Sequence, residues 1–453
     1  MECRGRPGGP PPVRVLTRVS GRPRRPFLAA LAAALSVLCL AASAPAATFT
    51  PWSPHDGSRL LVGAYYYQWF PQNLAQGTTR ADLIPPQGPD PRTDVSSNPK
   101  TAERAIRQAR RAGVNFFALD WWPKNRWYGR TLAEKASDDA NTAAFLRASN
   151  LKQIRFCMFY ETFGLDFDPR TESTPVNPDM ELEFDADMLA LATHYFHYRN
   201  YLRIHGRPVV VLYLTRTLTG DVAGMIQGAR QLLAAHGYHP YFIGDEVYWR
   251  VTDETLPASG PTLTTTPQAS RIEEFDAITA YTYYFGGNPP QYGPTQDFSG
   301  YPGDTSVIAD QLALMQRYRD ATGGRVPVIP DVSPGFNDRG VRLATNHPAQ
   351  PREWRPGDGP ASTLDHFFRD FALPSVDPRL PMVFVTAWNE WNEDTGVEPV
   401  PGVPTTRDDS PSGDAYTQGY PYGGEGDSAL VTLRRDIDCA DGLGSCPAPT
   451  AAG

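Results

Sequence analysis

Histidine and cysteine are too sparse in this chain to build a familiar metal centre. Among 453 residues there are 8 His and 5 Cys. The histidines are scattered and no cysteines form a CxxC pair, so a zinc site has no support. Positive charge is also short, with 42 basic against 50 acidic residues. No basic stripe runs along the chain, which makes nucleic acid a poor partner. No GxGxxG follows an early strand pattern, and this removes the nucleotide fingerprint of an open doubly wound sheet. Neither a phosphate-binding glycine loop nor a DxD-type motif accompanies the tryptophan-rich segment near residue 390, so a nucleotide-sugar transferase would lack its diphosphate cradle. No internal repeat of solenoid length is visible. No cofactor is expected.

What the chain has in quantity is aromatic surface. Aromatic residues make up 11%, with 9 Trp, 21 Tyr and 21 Phe, while charged residues are only 20%. That balance excludes wholesale disorder and supplies a large core with aromatics to spare for a cleft. The 45 Pro and 39 Gly require many loops.

The first 46 residues read as an export signal. Seven arginines and one acid precede the apolar run Leu28–Leu40, which is too short for a comfortable membrane span. "APAA" (Ala44 to Ala47) offers a cleavage site after Ala46, and "RRPFL" (Arg24 to Leu28) resembles a twin-arginine signal. The expectation is a secreted protein with no stable membrane span once residues 1–46 are removed. Its domain would occupy residues 47–453, with 438–453 as a C-terminal tail. Export agrees with cysteine usage. Cys157 lies in an apolar run as an inert core thiol, whereas Cys439 and Cys446 flank a flexible "ADGLGS" that can close as a disulfide.

Short apolar runs recur, each bounded by polar residues, Gly or Pro as buried strands are. They are Val62–Tyr67, Asn115–Asp120, Ile154–Tyr160, Pro208–Leu214, Tyr241–Gly244, Ala277–Tyr283, Val326–Val332 and Met382–Trp388. Helical patterns fall between most of them: Thr101–Ala112 with Thr101 as N-cap and Gly113 as stop, Asp185–Ile204, Asp221–His236, Ser306–Thr322, Ser362–Phe371 and Asp427–Ile437. Only the short Ile272–Phe275 follows the fifth run, and Ser333–Ala361 reads as a long loop after the seventh. Eight such alternations predict a (β/α)₈ barrel of the TIM type, with long loops after strands 7 and 8.

In such barrels the active site lies where the strands end. The first run ends "YYYQWF", the second "LDWWPKNRWYG" and the third "FYETFG". The fifth ends "GDEVYW", the sixth "AYTYYFGG", the seventh "PDVSPGFNDR" and the eighth "WNEWNE". Carboxylates and flat rings thus converge on one rim, which is the chemistry of sugar recognition. Glycoside hydrolysis commonly needs two carboxyl groups, one kept protonated for the leaving oxygen. Glu390 and Glu393 stand between Trp388 and Trp391 and their neighbours, and partial desolvation by those two indoles would raise one pKa. The fourth run ends "VLYLTR" without a carboxylate, so a layout with the acid on strand 4 and the nucleophile on strand 7 fits poorly. Asp120, Glu161, Asp245 and Asp331 can equally be caps or ion-pair partners, and Glu398 shapes the loop that follows.

"WNEWNEDTGVEP" (Trp388 to Pro399) resembles the "WNEW-x-E-G-T-x-x-EP" signature of the glycoside hydrolase family 99-like group. "YYYQWF", "FYE" and "PGFNDR" extend the similarity over most of Leu61–Val400. The resemblance implies a (β/α)₈ barrel and retaining, endo-acting cleavage of an α-linked polysaccharide such as α-mannan. Glu393 matches the general acid/base. Glu390 matches the residue that deprotonates the substrate 2-hydroxyl, giving a 1,2-anhydro sugar that water opens. Substrate-binding positions fall on Glu161, Arg339, Tyr66 or Tyr67, and Tyr281 or Tyr283. Asp120, Trp121, Trp122, Trp388, Asn389 and Trp391 complete the expected sugar-binding rim.

The chain departs from the signature where the family glycine after the second glutamate is Asp394, which adds a negative charge beside the pair. The loop Pro399–Gly426 has no counterpart. The wider group includes α-1,3-glucanase-like families and polysaccharide-assembly proteins. These readings, and a non-catalytic carbohydrate-binding barrel, stay open beside the mannanase one, as do the linkage and the oligomeric state.

Overall fold

Gly63 shows how the barrel is filled. It lies opposite Phe116 on one neighbouring strand and Phe384 on the other. Those two rings meet edge to face, with centroids 5.5 Å apart. A Cβ on Gly63 would come within 2.0 Å of the Phe116 ring, so only glycine leaves the interior wide enough for the pair. Tyr65, two residues on and facing the same way, packs on Phe159 at 4.6 Å and Phe384 at 5.0 Å. An aromatic plug therefore fills the centre of the barrel.

The computed structural model describes residues 60–71, 95–123, 132–168, 172–254, 263–281, 299–339, 348–401 and 417–444. The strands are β1 Leu61–Tyr66, β2 Phe116–Trp121, β3 Arg155–Tyr160, β4 Arg207–Leu212, β5 Tyr241–Asp245, β6 Ala277–Thr279, β7 Asp331–Val332 and β8 Met382–Val385. All neighbours are parallel, in the order β6-β5-β4-β3-β2-β1-β8-β7. A parallel bridge from Ile278 to Val328 closes the ring. There Ile278 N donates to Pro327 O at 2.9 Å and Ile329 N to Ile278 O at 2.8 Å. This is the expected (β/α)₈ barrel. Each apolar run supplies a strand: the second and fifth run one residue past the expected end, the fourth and eighth stop short of it, and the seventh begins late.

The helices are α1 Pro99–Ala112, α2 Leu132–Leu146, α3 Pro178–Tyr195, α4 Val222–Ala235, α5 Ala269–Ile272, α6 Val307–Ala321, α7 Ser362–His366 and α8 Ser428–Asp441. α7 runs on into a π-helical turn, Phe367–Ala372. α1 is capped by Asn98, not Thr101: the Asn98 side-chain Oδ1 accepts from Lys100 N at 3.1 Å, and Pro99 follows with no amide to satisfy. α3 starts before the expected Asp185, because Asn177 accepts from the amides of Asp179 and Met180. It also stops before the expected Ile204, where Arg203–Ile204 pair antiparallel with Arg207–Pro208. α8 passes the expected tail boundary at 438 and ends at Gly442, a left-handed cap with φ 73°.

α2 has no counterpart in the sequence reading. Its buried face includes Asn141 and Thr142, which breaks the apolar periodicity. Both residues hold Gln68, just beyond β1. Asn141 Nδ2 donates to Gln68 O at 2.6 Å, and Gln68 Nε2 donates to Thr142 Oγ1 at 3.2 Å. That polar seam anchors the segment carrying Tyr67 and Trp69. Among the described residues no helix is long and apolar enough to cross a membrane.

Candidate active site

The chain leaves β8 and folds back on itself. Ala387 N donates to Thr395 O at 2.9 Å, Thr395 N to Glu390 O at 3.0 Å, and Val397 N to Ala387 O at 3.0 Å. Segment 387–398 is thus braced by its own backbone, with Glu390 and Glu393 inside the brace. Glu390 is buried, and its Oε1 accepts from Asn392 N at 2.8 Å. Glu393 is half-buried, and its main-chain oxygen accepts from Asn337 N at 2.8 Å. Asn389 ties this segment to the end of β1 by a double hydrogen bond with the Tyr67 main chain.

Above the aromatic plug, phenol hydroxyls lead to the acid pair. The Tyr67 hydroxyl donates to the Tyr281 hydroxyl at 2.9 Å, and Tyr281 donates to Glu393 Oε2 at 3.4 Å. Burial pushes the Tyr67 hydroxyl well above its usual range, and the charges of Glu161, Asp120 and Glu390 push it further. Burial does the same to Tyr281, with Tyr67, Glu393 and Glu390 adding to it. Both phenols therefore remain protonated donors at any physiological pH. Asp120, Glu161 and Glu390 thus act electrostatically on the Tyr67 hydroxyl, and Glu390 and Glu393 on that of Tyr281.

Other expected site residues divide by strand phase. Asp120 faces inward and accepts from Trp122 Nε1 at 3.1 Å, which steers the half-buried Trp122 ring at the end of β2. Glu161 is buried immediately after β3. Tyr66, by contrast, points outward and packs on Phe117 at 4.8 Å and Phe145 of α2 at 5.2 Å, so Tyr67 is the site tyrosine. Trp121 also points outward, stacked on Tyr160 at 5.5 Å with Lys135 Nζ 4.1 Å from its ring centroid. Trp388 is fully buried, with its ring 5.1 Å from that of Phe117. Successive side chains on a strand alternate faces, which separates Tyr66 from Tyr67 and Asp120 from Trp121.

Trp391 is held differently from expectation. Its Nε1 donates to Glu398 Oε1 at 2.9 Å, and its ring lies against Gly396, where a Cβ would come within 2.5 Å. Glu398 therefore does shape the loop. Arg339 is buried in the turn after β7, the same turn that reaches Glu393 through Asn337. Tyr283 and Cys446 lie outside the described residues; Cys439 lies in α8.

Three acids from the strand ends serve the scaffold. Asp245 is fully buried, paired with Arg216 and accepting from Leu214 N and Tyr281 N. Glu246 takes both of its bonds from Arg271 Nε, at 2.9 and 3.0 Å, with both partners fully buried. Asp331 accepts from the Thr386 hydroxyl. Asp394, the departure from the signature glycine, has φ 53° and is fully buried against Arg352 at 3.1 Å. Its left-handed backbone explains why glycine suits the position, and its charge is matched by Arg352, not left beside the glutamates.

Two residues at the site escaped the sequence reading. Trp69 is half-buried and stacks on Tyr67 at 4.4 Å and 12°. Tyr213 follows β4, half-buried, with its ring 5.3 Å from Tyr281 and its hydroxyl in the field of Glu161 and Glu393. Their signal was present in "VLYLTR", where Tyr213 directly follows the last strand residue, and in "YYYQWF", where Trp69 stands two residues after Tyr67. The arrangement as a whole can transfer protons through two carboxyl groups while phenols and rings hold a polar, flat-faced substrate.

No family model and no curated protein matches this sequence. Solved structures do. A glycoside hydrolase-like protein superposes with TM-score 0.58 at 19% identity, covering 86% of this chain and 97% of its own. The family 99 glycoside hydrolase endo-α-mannosidase from Bacteroides thetaiotaomicron, in complex with BIS-TRIS-propane, gives TM-score 0.53 at 16% identity, covering 84% of this chain and 98% of its own. A second structure of that enzyme gives 0.52. This chain is therefore similar in fold, over nearly the whole of each relative, to the glycoside hydrolase family 99 barrel that its sequence motif resembles.

Proposed function

We propose that this protein is a retaining glycoside hydrolase that cleaves an α-linked polysaccharide such as α-mannan from within the chain, using Glu390 and Glu393. The observation that carries the reading is the placement of both glutamates on one backbone-braced segment, with the Tyr67–Tyr281 hydroxyl chain ending on Glu393. The solved relative at similar fold is described as an endo-α-mannosidase, which supports the choice of mannan.

In the first step Glu390 takes the proton of the substrate 2-hydroxyl. That oxygen bonds to the neighbouring anomeric carbon as the glycosidic C–O bond breaks, and Glu393 gives its proton to the departing oxygen. In the second step Glu393 takes a proton from water, whose oxygen opens the 1,2-anhydro sugar at the anomeric carbon. The 2-oxygen recovers its proton from Glu390. Two inversions give net retention. Tyr281 steadies the Glu393 carboxylate between the steps.

The arginine-rich start, the Leu28–Leu40 run and "APAA" support export, with the mature chain beginning near Ala47. The deciding experiment incubates the purified protein with a panel of α-mannans and α-glucans and follows oligosaccharide release and anomeric configuration. Release of retained-configuration oligosaccharides, abolished in Glu393→Gln, is the expected result. Binding without release across the panel would mark a carbohydrate-binding barrel and overturn the proposal.

A further inference from the structure

Arg352 lies far from Glu393 in sequence. Its guanidinium nevertheless meets the catalytic segment at three places. Nε and Nη2 donate to Asp394 Oδ1 at 3.2 and 3.1 Å, and Nη2 also donates to Asp394 O at 3.0 Å and Gly396 O at 2.8 Å. The guanidinium carbon lies 5.2 Å from the Trp391 ring centroid. Nη1 reaches Glu425 Oε2 at 3.5 Å, from the segment leading into α8. Arg352 itself is buried, and a Cβ on Gly335 would crowd its Cγ at 3.0 Å.

The geometry around it is two-sided. Phe336–Asn337 pair antiparallel with Ala349–Gln350. From the first of these strands, Asn337 N donates to Glu393 O. From just beyond the second, Arg352 captures the carbonyls of Asp394 and Gly396. The loop between β7 and α7 thus grips the peptide units on either side of the Asp394 α-carbon, the first of them the unit that leaves Glu393. Asp394, in a left-handed conformation, offers its carbonyl and its carboxylate to one guanidinium. A fixed planar donor array of this kind is what Arg supplies and Lys does not.

We propose that Arg352 is the positioning residue for Glu393, holding its carboxyl group in line with the departing oxygen through Asp394 and Gly396. The inference rests on the reading of Glu393 as general acid. Misplacement by about 1 Å is worth on the order of 10²-fold in rate, so loss of the clamp should have a large effect.

The test uses the full mature chain with Arg352→Ala and Arg352→Lys. Hydrogen exchange should rise at the amides of 394–397 in Arg352→Ala and stay unchanged in the barrel strands; unchanged exchange at 394–397 overturns the clamp whether or not the protein is active. In kinetics, Arg352→Ala should lose about 10²-fold in kcat on polymer with KM little altered, and far less on an activated aryl glycoside that needs no protonation. On polymer the double variant carrying Arg352→Ala and Glu393→Gln should be no slower than Glu393→Gln alone. Guanidinium ion at millimolar concentration should restore part of the rate to Arg352→Ala. Equal losses on both substrates, or multiplicative losses in the double variant, would show that Arg352 only stabilises the fold. If Arg352→Ala does not fold, Arg352→Lys carries the same comparisons. A wild-type protein inert on every substrate would instead sink the hydrolase reading, leaving the exchange result to decide the clamp.

Discussion

The Asn389 side chain and the Tyr67 main chain form a closed pair. Tyr67 N donates to Asn389 Oδ1 at 2.8 Å, and Asn389 Nδ2 donates to Tyr67 O at 2.9 Å. The residue before Glu390 is thereby bolted to the residue whose hydroxyl begins the chain to Glu393. Both groups are buried, so neither bond can be replaced by water. Asn389→Asp keeps the size but turns an oxygen toward the Tyr67 carbonyl. Stability should fall by about 1–3 kcal/mol, measured by chemical denaturation, and turnover should fall with it because Tyr67 and Glu390 lose their common anchor. An Asp variant as stable and active as the parent would show the pair to be incidental.

The two glutamates should fail in different ways. Glu393→Gln should lose ~10²–10⁴-fold on substrates with poor leaving groups and much less on activated aryl glycosides. Glu390→Gln should impair both kinds, since closure of the anhydro sugar precedes every later event. A 2-deoxy or 2-fluoro substrate should not be turned over by the wild-type protein. Near-normal cleavage of polymer by folded Glu393→Gln would remove the central assignment.

Gly396 provides a packing test close to the site. A Cβ there would come within 2.5 Å of the Trp391 ring, which is itself pinned by its bond to Glu398 and by the Arg352 guanidinium beside it. Gly396→Ala should therefore lower stability by about 1–3 kcal/mol and disturb the glutamates. Gly228, where a Cβ meets nothing within 4 Å, serves as the control. Equal melting temperatures for the two alanine variants would refute the close contact.

Glu425 carries a pH signature. Burial pushes its carboxyl from an ordinary 4.5 up to about 7, against the attraction of Arg352; Asp394 and Glu353 reinforce the rise. Between those two values the folded protein holds a proton that the unfolded chain has released. Stability from this group is present below about 4.5 and is lost as pH rises to about 7. Glu425→Gln should match the parent near pH 4 and melt progressively higher than it as pH approaches 8. A constant difference across that range would place the titration elsewhere.

Much of this protein was determined by its sequence alone. The barrel was legible because eight apolar runs between polar boundaries must each bury a strand. Glu390 and Glu393 were legible because the segment that holds them is contiguous and braces itself, as in the bond from Thr395 N to Glu390 O. Tertiary structure decided which aromatic residue meets the site. Tyr66 and Tyr67 differ only in the face they take, and so do Asp120 and Trp121. A shift of one residue in where a strand ends exchanges the two faces, and no local pattern sets that phase. Tertiary structure also decided which acids are bound into the scaffold. The partners that claim Asp245, Glu246 and Asp394 are Arg216, Arg271 and Arg352, the last of them 42 residues from its acid. Such pairings exist only after the strands close into a ring and bring separate loops to one rim, because an ion pair between distant segments leaves no periodicity in either of them.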